Sequence, residues 1–492
     1  MKDLKEKTIR GGLARLMAQA ADFSLRLGSL MVLARLLNPK DFGLVGMVTA
    51  FTGVLILFRD FGLSAAAIQH ANITEDQLSN LFWINVLAGT LLGLLLVAGA
   101  PAIAAFYHEP RLRAVSAALS LSFLFNAVGI QHGVMLQRQM RFTALAVINT
   151  ISLVSSIALA ISAAVAGYGY WALVAMAVTG PLVASSGFWI AAAWVPGLPR
   201  RRTGIRSMMR FGGTVTLNGL VVYVASNFEK ILLGRYWGAE AIGLYGRAFQ
   251  LVNIPTANLN GAAGEVAFAA LSRIQDDRDR LRRYFLRGYS LVLAMTVPLT
   301  LLCALFSGDV IQVFLGPKWS AAAPIFRFLA PTILVFAVAN PLSWLLMSLG
   351  LVKRLLKMGL VIAPIMIVSY IVGLPYGPKG VAFAYSTVML LWLLPLIAWA
   401  VHGTAVSVRD VVATAFKPLA CGLLAAGVAI AVRMLYGHLL SPLPRLALET
   451  SILLVIFAVM LLFVAGQKSL YVDLLRGLLK RPSLDGDSLV AA

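Results

Sequence analysis

Long apolar runs, broken at intervals by Gly, Pro or charge, dominate the chain from residue 11 to residue 465. Almost none alternates with the two-residue period of a half-buried strand, and most are about 20 residues long, the length that crosses a bilayer as an α-helix. They place fourteen spans at 11–37, 42–58, 79–106, 112–134, 142–166, 170–194, 211–233, 241–264, 289–314, 322–349, 356–373, 381–401, 411–433 and 442–465. The eighth is rich in Asn, Gln and Gly, and Pro255 predicts a kink in it. RDFGLSAAAIQH, after the second span, reads as interfacial. The first stretch carries Arg15, Asp22 and Arg26, so it lacks the clean apolar centre of a cleavable signal and reads as an unusual first transmembrane helix.

Composition supports this pattern. Of 492 residues, 60% are hydrophobic and only 12% charged. A soluble fold cannot cover that much apolar surface with so few charges. These values exclude a secreted disulfide scaffold, a disordered chain and a cytosolic enzyme, and leave an all-α polytopic membrane protein. Cys303 and Cys421 lie alone in apolar runs and read as packed free thiols, with no metal site.

The net charge of +21 raises nucleic acid as a partner. Its distribution argues otherwise. With both termini cytoplasmic, 27 Lys and Arg fall in cytoplasmic segments and 8 on the opposite face. This is the bias of the positive-inside rule. It accounts for the charge without nucleic acid, and it places the Arg-rich 274–288 in a cytoplasmic loop.

The chain also repeats. LARLLNPKDFGLVG (33–46) and LGRYWGAEAIGLYG (233–246) match at Leu33/Leu233, Arg35/Arg235, Gly43/Gly243, Leu44/Leu244 and Gly46/Gly246. Gly12/Gly212 shares the offset of 200. The matches fall at the junctions of helices 1 with 2 and 7 with 8, and an even number of helices separates them. The halves therefore share one orientation, a transporter architecture with substrate held between two bundles. The expected domains are an amino-terminal lobe at 1–195, a basic cytoplasmic linker at 196–210, a second lobe at 211–403, two extra helices at 404–466 and a cytoplasmic tail at 467–492.

Six cations remain inside spans: Arg15, Arg26, Arg35, Lys230, Arg247 and Arg327. Each costs about 2.5–3.5 kcal/mol at a helix centre. Arg15, Asp22 and Arg26 lie on one face of helix 1, in a stripe some 16 Å long at about 1.5 Å per residue. Such a stripe faces a watery cavity that binds an anion, or it is an Asp22–Arg26 pair that fixes packing, with Arg15 snorkelling. Arg247, Asn258 and Glu265 share a face of helix 8, with Gln250 adjacent. Glu229 and Lys230 read as an interfacial pair, Arg35 and Arg235 as capping or interfacial groups at the outer turns, and Arg327 as interfacial. His70, His108, His132, His402 and His438 are scattered, and there is no P-loop, G-x-S-x-G or HExxH, so the chain reads as a transporter rather than an enzyme. Without a Walker site, uphill transport would draw on an ion or substrate gradient.

ARLLNPKDFGLVGM (34–47), RDFGLSAAAIQ (59–69), LFWINVLAG (81–89), FEKILLGRYWGAEAIGLYGRAFQL (228–251), LSRIQDD (271–277) and VFLGPKW (313–319) resemble the bacterial polysaccharide flippases of the colanic-acid and lipopolysaccharide type, in the MATE-like oligosaccharidyl-lipid/polysaccharide exporter superfamily. The resemblance implies two six-helix lobes around a central cavity plus two helices. It also implies translocation of an undecaprenyl-pyrophosphate-linked oligosaccharide across the bacterial inner membrane, for surface polysaccharide, lipopolysaccharide or exopolysaccharide assembly. A polymerase and a chain-length regulator are the implied protein partners, and membrane lipids surround the chain. No cofactor is expected beyond coupling to a Na+ or H+ gradient. The implied pyrophosphate ligands are Arg15, Arg26 and Arg247, with Asp22, Glu265, Asn258 and Gln250 as cavity or ion-coupling groups. The rival is a MATE-type ion-coupled multidrug or small-molecule exporter, which calls for more cavity acids than Asp22 and Glu265.

Overall fold

In a computed structural model, residues 21–59, 74–199, 206–436 and 439–468 are described. They contain helices and no strand. α1 (21–36) and α2 (Pro39–Arg59) are followed by α3 (Glu75–Tyr107), α4 (Leu112–Arg138), α5 (Phe142–Val165) and α6 (Trp171–Ala192). Arg206–Arg273 is one continuous stretch divided at Gly238, whose φ of 78° and ψ of −173° only glycine adopts readily, into α7 (206–237) and α8 (239–273). Then come α9 (Arg278–Leu305), α10 (Ser307–Phe314), α11 (Ala322–Leu329), α12 (Pro331–Ser348), α13 (Val352–Gly373), α14 (Gly377–Val401), α15 (Val408–Tyr436) and α16 (Pro442–Val459).

Among the described residues, ten helical stretches are long and apolar enough to cross a membrane, and one of them, Val352–Val401, is 50 residues long. Helices are the expected solution, because a spanning segment must satisfy every backbone N–H and C=O internally. Large apolar side chains remain exposed along their outer faces, as at Leu87, Leu91, Leu94 and Leu95 of α3.

Several boundaries differ from the sequence reading. The expected loop 274–288 is mostly helix: Asp277 caps α9 by accepting from the Arg280 N–H at 3.0 Å. Leu281, Phe285 and Tyr289 are buried at helical spacing while Arg282, Arg283 and Arg287 stay exposed. The charge run is one face of an amphipathic turn. The single span 289–314 ends instead at Leu305 and restarts as α10. The span 322–349 divides at Ala330, with Pro331 opening α12, where its missing N–H loses no bond. Pro255 leaves α8 helical, and Gly238 is the one non-helical residue within 206–273. The proposed interfacial segment lies outside the described residues from 60 to 70, as do linker residues 200–205 and the tail beyond 468.

Two compact units emerge. The first comprises Met1–Arg247, Phe314–Ala321 and Ala363–Val381; the second comprises Ala248–Val313, Ala322–Ile362 and Ala382–Ala492. In the first, Gly89 and Gly93 bring α3 against Ser120, Phe123 and Ala127 of α4. This is small-residue packing, the device that lets helices approach in lipid, where there is no hydrophobic drive between them. Ser152 on α5 donates to the Gly180 carbonyl of α6 at 2.6 Å, a bond of a kind worth about 0.6 kcal/mol between membrane helices.

The repeated junctions pack on each other reciprocally. A Cβ on Gly43 would strike the Ala239 carbonyl, and one on Gly243 would strike the Pro39 carbonyl. At an offset of 200 these are one contact made twice, the relation a two-fold axis imposes. In the second unit, α9, α12 and α15 pack around Leu293, Val338, Leu342 and Val411, and Cys303 and Cys421 are buried free thiols.

Candidate functional site

The first unit carries an open cavity of about 770 Å³. Its walls follow from helical spacing. Phe42, Val45, Gly46 and Thr49 line it from α2, and Leu173, Met176, Ala177, Gly180 and Pro181 from α6. Asn149, Ser152, Leu153 and Ser156 form the α5 wall. Each set recurs at three- and four-residue steps, so each is one face of its helix.

The charges come from α1 and α8. Arg26 donates to Asp22 through Nε at 2.7 Å and Nη2 at 3.2 Å, a two-pronged pair across one helical turn. Both side chains remain open to the cavity, 66% exposed for Arg26 and 44% for Asp22. Arg247 lies over the Phe42 ring, 4.2 Å from its centroid. This cation–π contact orients the guanidinium plane.

Phe42 is itself fixed. Trp319 packs edge-on to it at 5.3 Å between centroids and donates its indole N–H to the Ala34 carbonyl at 2.7 Å. Trp319 is fully buried. The VFLGPKW segment therefore supports the ring that carries Arg247. Two arginines and one aspartate leave the wall net cationic, and a planar guanidinium fork matches phosphate oxygens in pairs.

Of the residues singled out from sequence, Asp22, Arg26 and Arg247 line this one cavity. Gln250 is exposed and is not among its lining residues. Arg15 and the side chains of Asn258 and Glu265 lie outside the described residues. Glu229 and Lys230 do not pair: Lys230 donates to Asn227 at 2.6 Å, and Glu229 is buried with both carboxylate oxygens free of hydrogen bonds among the described residues. Adjacent positions on a helix point about 100° apart, so this pairing was geometrically unfavourable. Arg235 bonds His108 at the left-handed end of α3 and covers the Phe106 ring. Arg327 reaches the Ser307 hydroxyl at 3.2 Å.

Sequence reasoning missed Phe42, Trp319 and the α5 wall. The wall had a readable signal: Asn149, Ser152 and Ser156 are polar at helical spacing in an otherwise apolar run.

Comparison with known proteins fits this geometry. The family described as "Polysaccharide biosynthesis protein" matches residues 32–324, more than half of the chain. The lipopolysaccharide biosynthesis protein WzxC of Escherichia coli is 27% identical over 395 residues, 79% of this chain and 80% of that one. Among solved structures, the lipid II flippase MurJ in an inward closed conformation is similar at a TM-score of 0.74 and 15% identity, covering 91% of this chain and 98% of the other. An inward-facing multidrug resistance MATE family transporter is similar at 0.59 and 14% identity, over 80% of this chain and 95% of the other. At such identities the two structures establish a shared fold. On the match over residues 32–324, the chain belongs to the polysaccharide biosynthesis protein family, as a multi-pass bacterial membrane protein.

Proposed function

We propose that this protein translocates an undecaprenyl-pyrophosphate-linked oligosaccharide repeat unit across the cytoplasmic membrane. Arg26 and Arg247 hold the pyrophosphate. The observation that carries this reading is the cavity that presents both guanidiniums beside α2, α5 and α6, three helices long and apolar enough to cross a membrane. Left in hydrocarbon, a pyrophosphate would lose its hydration with nothing in return, a penalty of many kcal/mol. A polar cavity with fixed cations replaces that hydration, while the prenyl chain stays in lipid. The volume of about 770 Å³ is within the ordinary range of small-molecule sites.

Asp22 holds the Arg26 fork until ligand arrives, and the phosphate oxygens then compete for it. Transport draws on a Na+ or H+ gradient, and the product in the outer leaflet feeds a polysaccharide polymerase working with a chain-length regulator. A multidrug exporter is a poorer fit, because Asp22 is the one acid lining the described cavity and Arg26 already neutralises it.

Complementation of a flippase-null strain tests the site. Arg26→Ala and Arg247→Ala are scored for membrane abundance and for surface polysaccharide. Each should remain abundant and lose about 2–5 kcal/mol of binding, the scale for truncating one partner of a desolvated charge pair. Lys replacements keep charge without the fork and should rescue only in part. Normal export by both abundant Ala variants would make these arginines structural. Orientation has its own test. A cysteine placed in 274–277 of a variant lacking Cys303 and Cys421 should resist impermeant thiol reagents in intact cells, because the basic segments lie inside. Labelling from outside would reverse the topology.

A further inference from the structure

The cavity is chemically divided. Its charged groups stand on α1 and α8, at Asp22, Arg26 and Arg247. The α5 wall is polar without charge: Asn149, Ser152 and Ser156, at steps of three and four, bring amide and hydroxyl groups to one face. A pyrophosphate accepts but does not donate hydrogen bonds, so it uses only the donor half of such groups. A sugar ring uses both halves. Its hydroxyls each donate and accept, and they are met by groups that also do both.

The hydrogen bonding along this wall shows what remains to offer. The Ser152 hydroxyl donates to the Gly180 carbonyl at 2.6 Å, and the Ser156 hydroxyl to the Leu153 carbonyl at 2.9 Å. Their protons are committed and their oxygens can still accept. Both serines are nearly buried, at 7% and 3% exposure, so they form the floor of the wall. Asn149 is different: it is exposed in the cavity and makes no hydrogen bond to another described residue. Its amide keeps two donors and an acceptor for a ligand.

We infer that the α5 wall is a glycan subsite, in which Asn149 hydrogen-bonds the sugar nearest the pyrophosphate and sets the protein's preference for glycosylated over bare carrier. This rests on reading the cavity as a site for lipid-linked pyrophosphate glycan. Asn149 is a specificity residue, distinct from the arginines that bind the part common to all such substrates. A site that hydrogen-bonds a ligand hydroxyl discriminates strongly against the analogue lacking it, because its own polar groups are then left unpaired.

The test measures binding by purified full-length protein in nanodiscs to three probes: undecaprenyl pyrophosphate, the same lipid carrying one hexose, and the same lipid carrying one N-acetylhexosamine. Wild type should bind at least one glycosylated probe roughly 10-fold or more tightly than the bare lipid. Asn149→Leu, near in size and without the amide, should erase most of that ratio, about 5- to 20-fold, by weakening the glycosylated probes more than the bare lipid. Asn149→Gln, which retains the amide, should keep part of it. Arg247→Ala should weaken all three probes alike. If wild type binds the bare lipid and shows no preference for either sugar, or if Asn149→Leu weakens all probes equally or none, the glycan subsite is wrong while the pyrophosphate reading stands. If wild type binds none of the three probes, the cavity is not a lipid-pyrophosphate site and both readings fall.

Discussion

The two compact units use the same residue types in opposite ways. In the first, Asp22 and Arg26 are a solvated pair, 44% and 66% exposed, on the wall of a cavity. In the second, Asp309 and Glu449 are 1% and 2% exposed, and arginines converge on them. Arg445 donates to Asp309 through Nε at 2.9 Å, and Arg433 stands 3.1 Å from Asp309 and 3.5 Å from Glu449. Arg433 also covers the Phe306 ring. The cluster is electrically neutral and links α10, α15 and α16. It ties three helices together from within their packed interior. The open pair spans one turn of α1, ties no second helix, and leaves both groups facing the cavity. Exposure, rather than the presence of charge in a helix, is what separates the two sets.

The largest expected effect breaks the buried cluster. Arg445→Ala leaves Asp309 short of its strongest partner and should destabilise by about 3–5 kcal/mol, read by thermal unfolding in detergent, with transport per surviving molecule near wild type. Replacing Asp309 and Arg445 together by Leu should recover most of that loss, because a neutral apolar pair removes the desolvation penalty along with the attraction.

Below this stands the crossing beneath the cavity. Gly43→Ala and Gly243→Ala should each destabilise by about 1–3 kcal/mol through overpacking against a backbone carbonyl, and by similar amounts if the two-fold relation holds. Gly246→Ala meets nothing within 4 Å and should be neutral or slightly stabilising on the same assay.

Asp22→Asn sharpens the comparison from the other side. An exposed pair contributes about 0–1 kcal/mol, so unfolding should hardly change. Bare undecaprenyl pyrophosphate should bind several-fold tighter, because the Arg26 fork is released. Weaker binding would make Asp22 a ligand-side group.

The smallest effect lies outside the spans, at Glu109 and Arg111 between α3 and α4, joined at 2.7 Å. The Arg111 guanidinium holds the Glu109 carboxyl below its usual range. A depressed carboxyl stabilises above its unfolded pKa and loses that contribution as pH falls through the folded one, below about pH 4.3. Because the pair is partly solvated, Glu109→Gln should cost under about 1 kcal/mol at neutral pH and flatten the acid limb of the stability profile.

Hydropathy along the chain was enough for the helix pattern, because a bilayer requires long apolar runs whose backbone bonds close locally. The offset of 200 between Gly43 and Gly243 was legible too, since a backbone crossing tolerates only glycine. So was the pairing of Asp22 with Arg26, four residues apart on one helix. Tertiary structure decided the rest. Hydropathy sets where a helix crosses and says little about its rotation; on α5 the polar stripe of Asn149, Ser152 and Ser156 marks a face, but not what that face meets. Arg247 resting on Phe42, Phe42 on Trp319, and Asp309 meeting an arginine 136 positions away are contacts between distant segments. Each depends on how helices pack side by side, where small residues and side-chain shape choose the neighbour and no local sequence rule reaches.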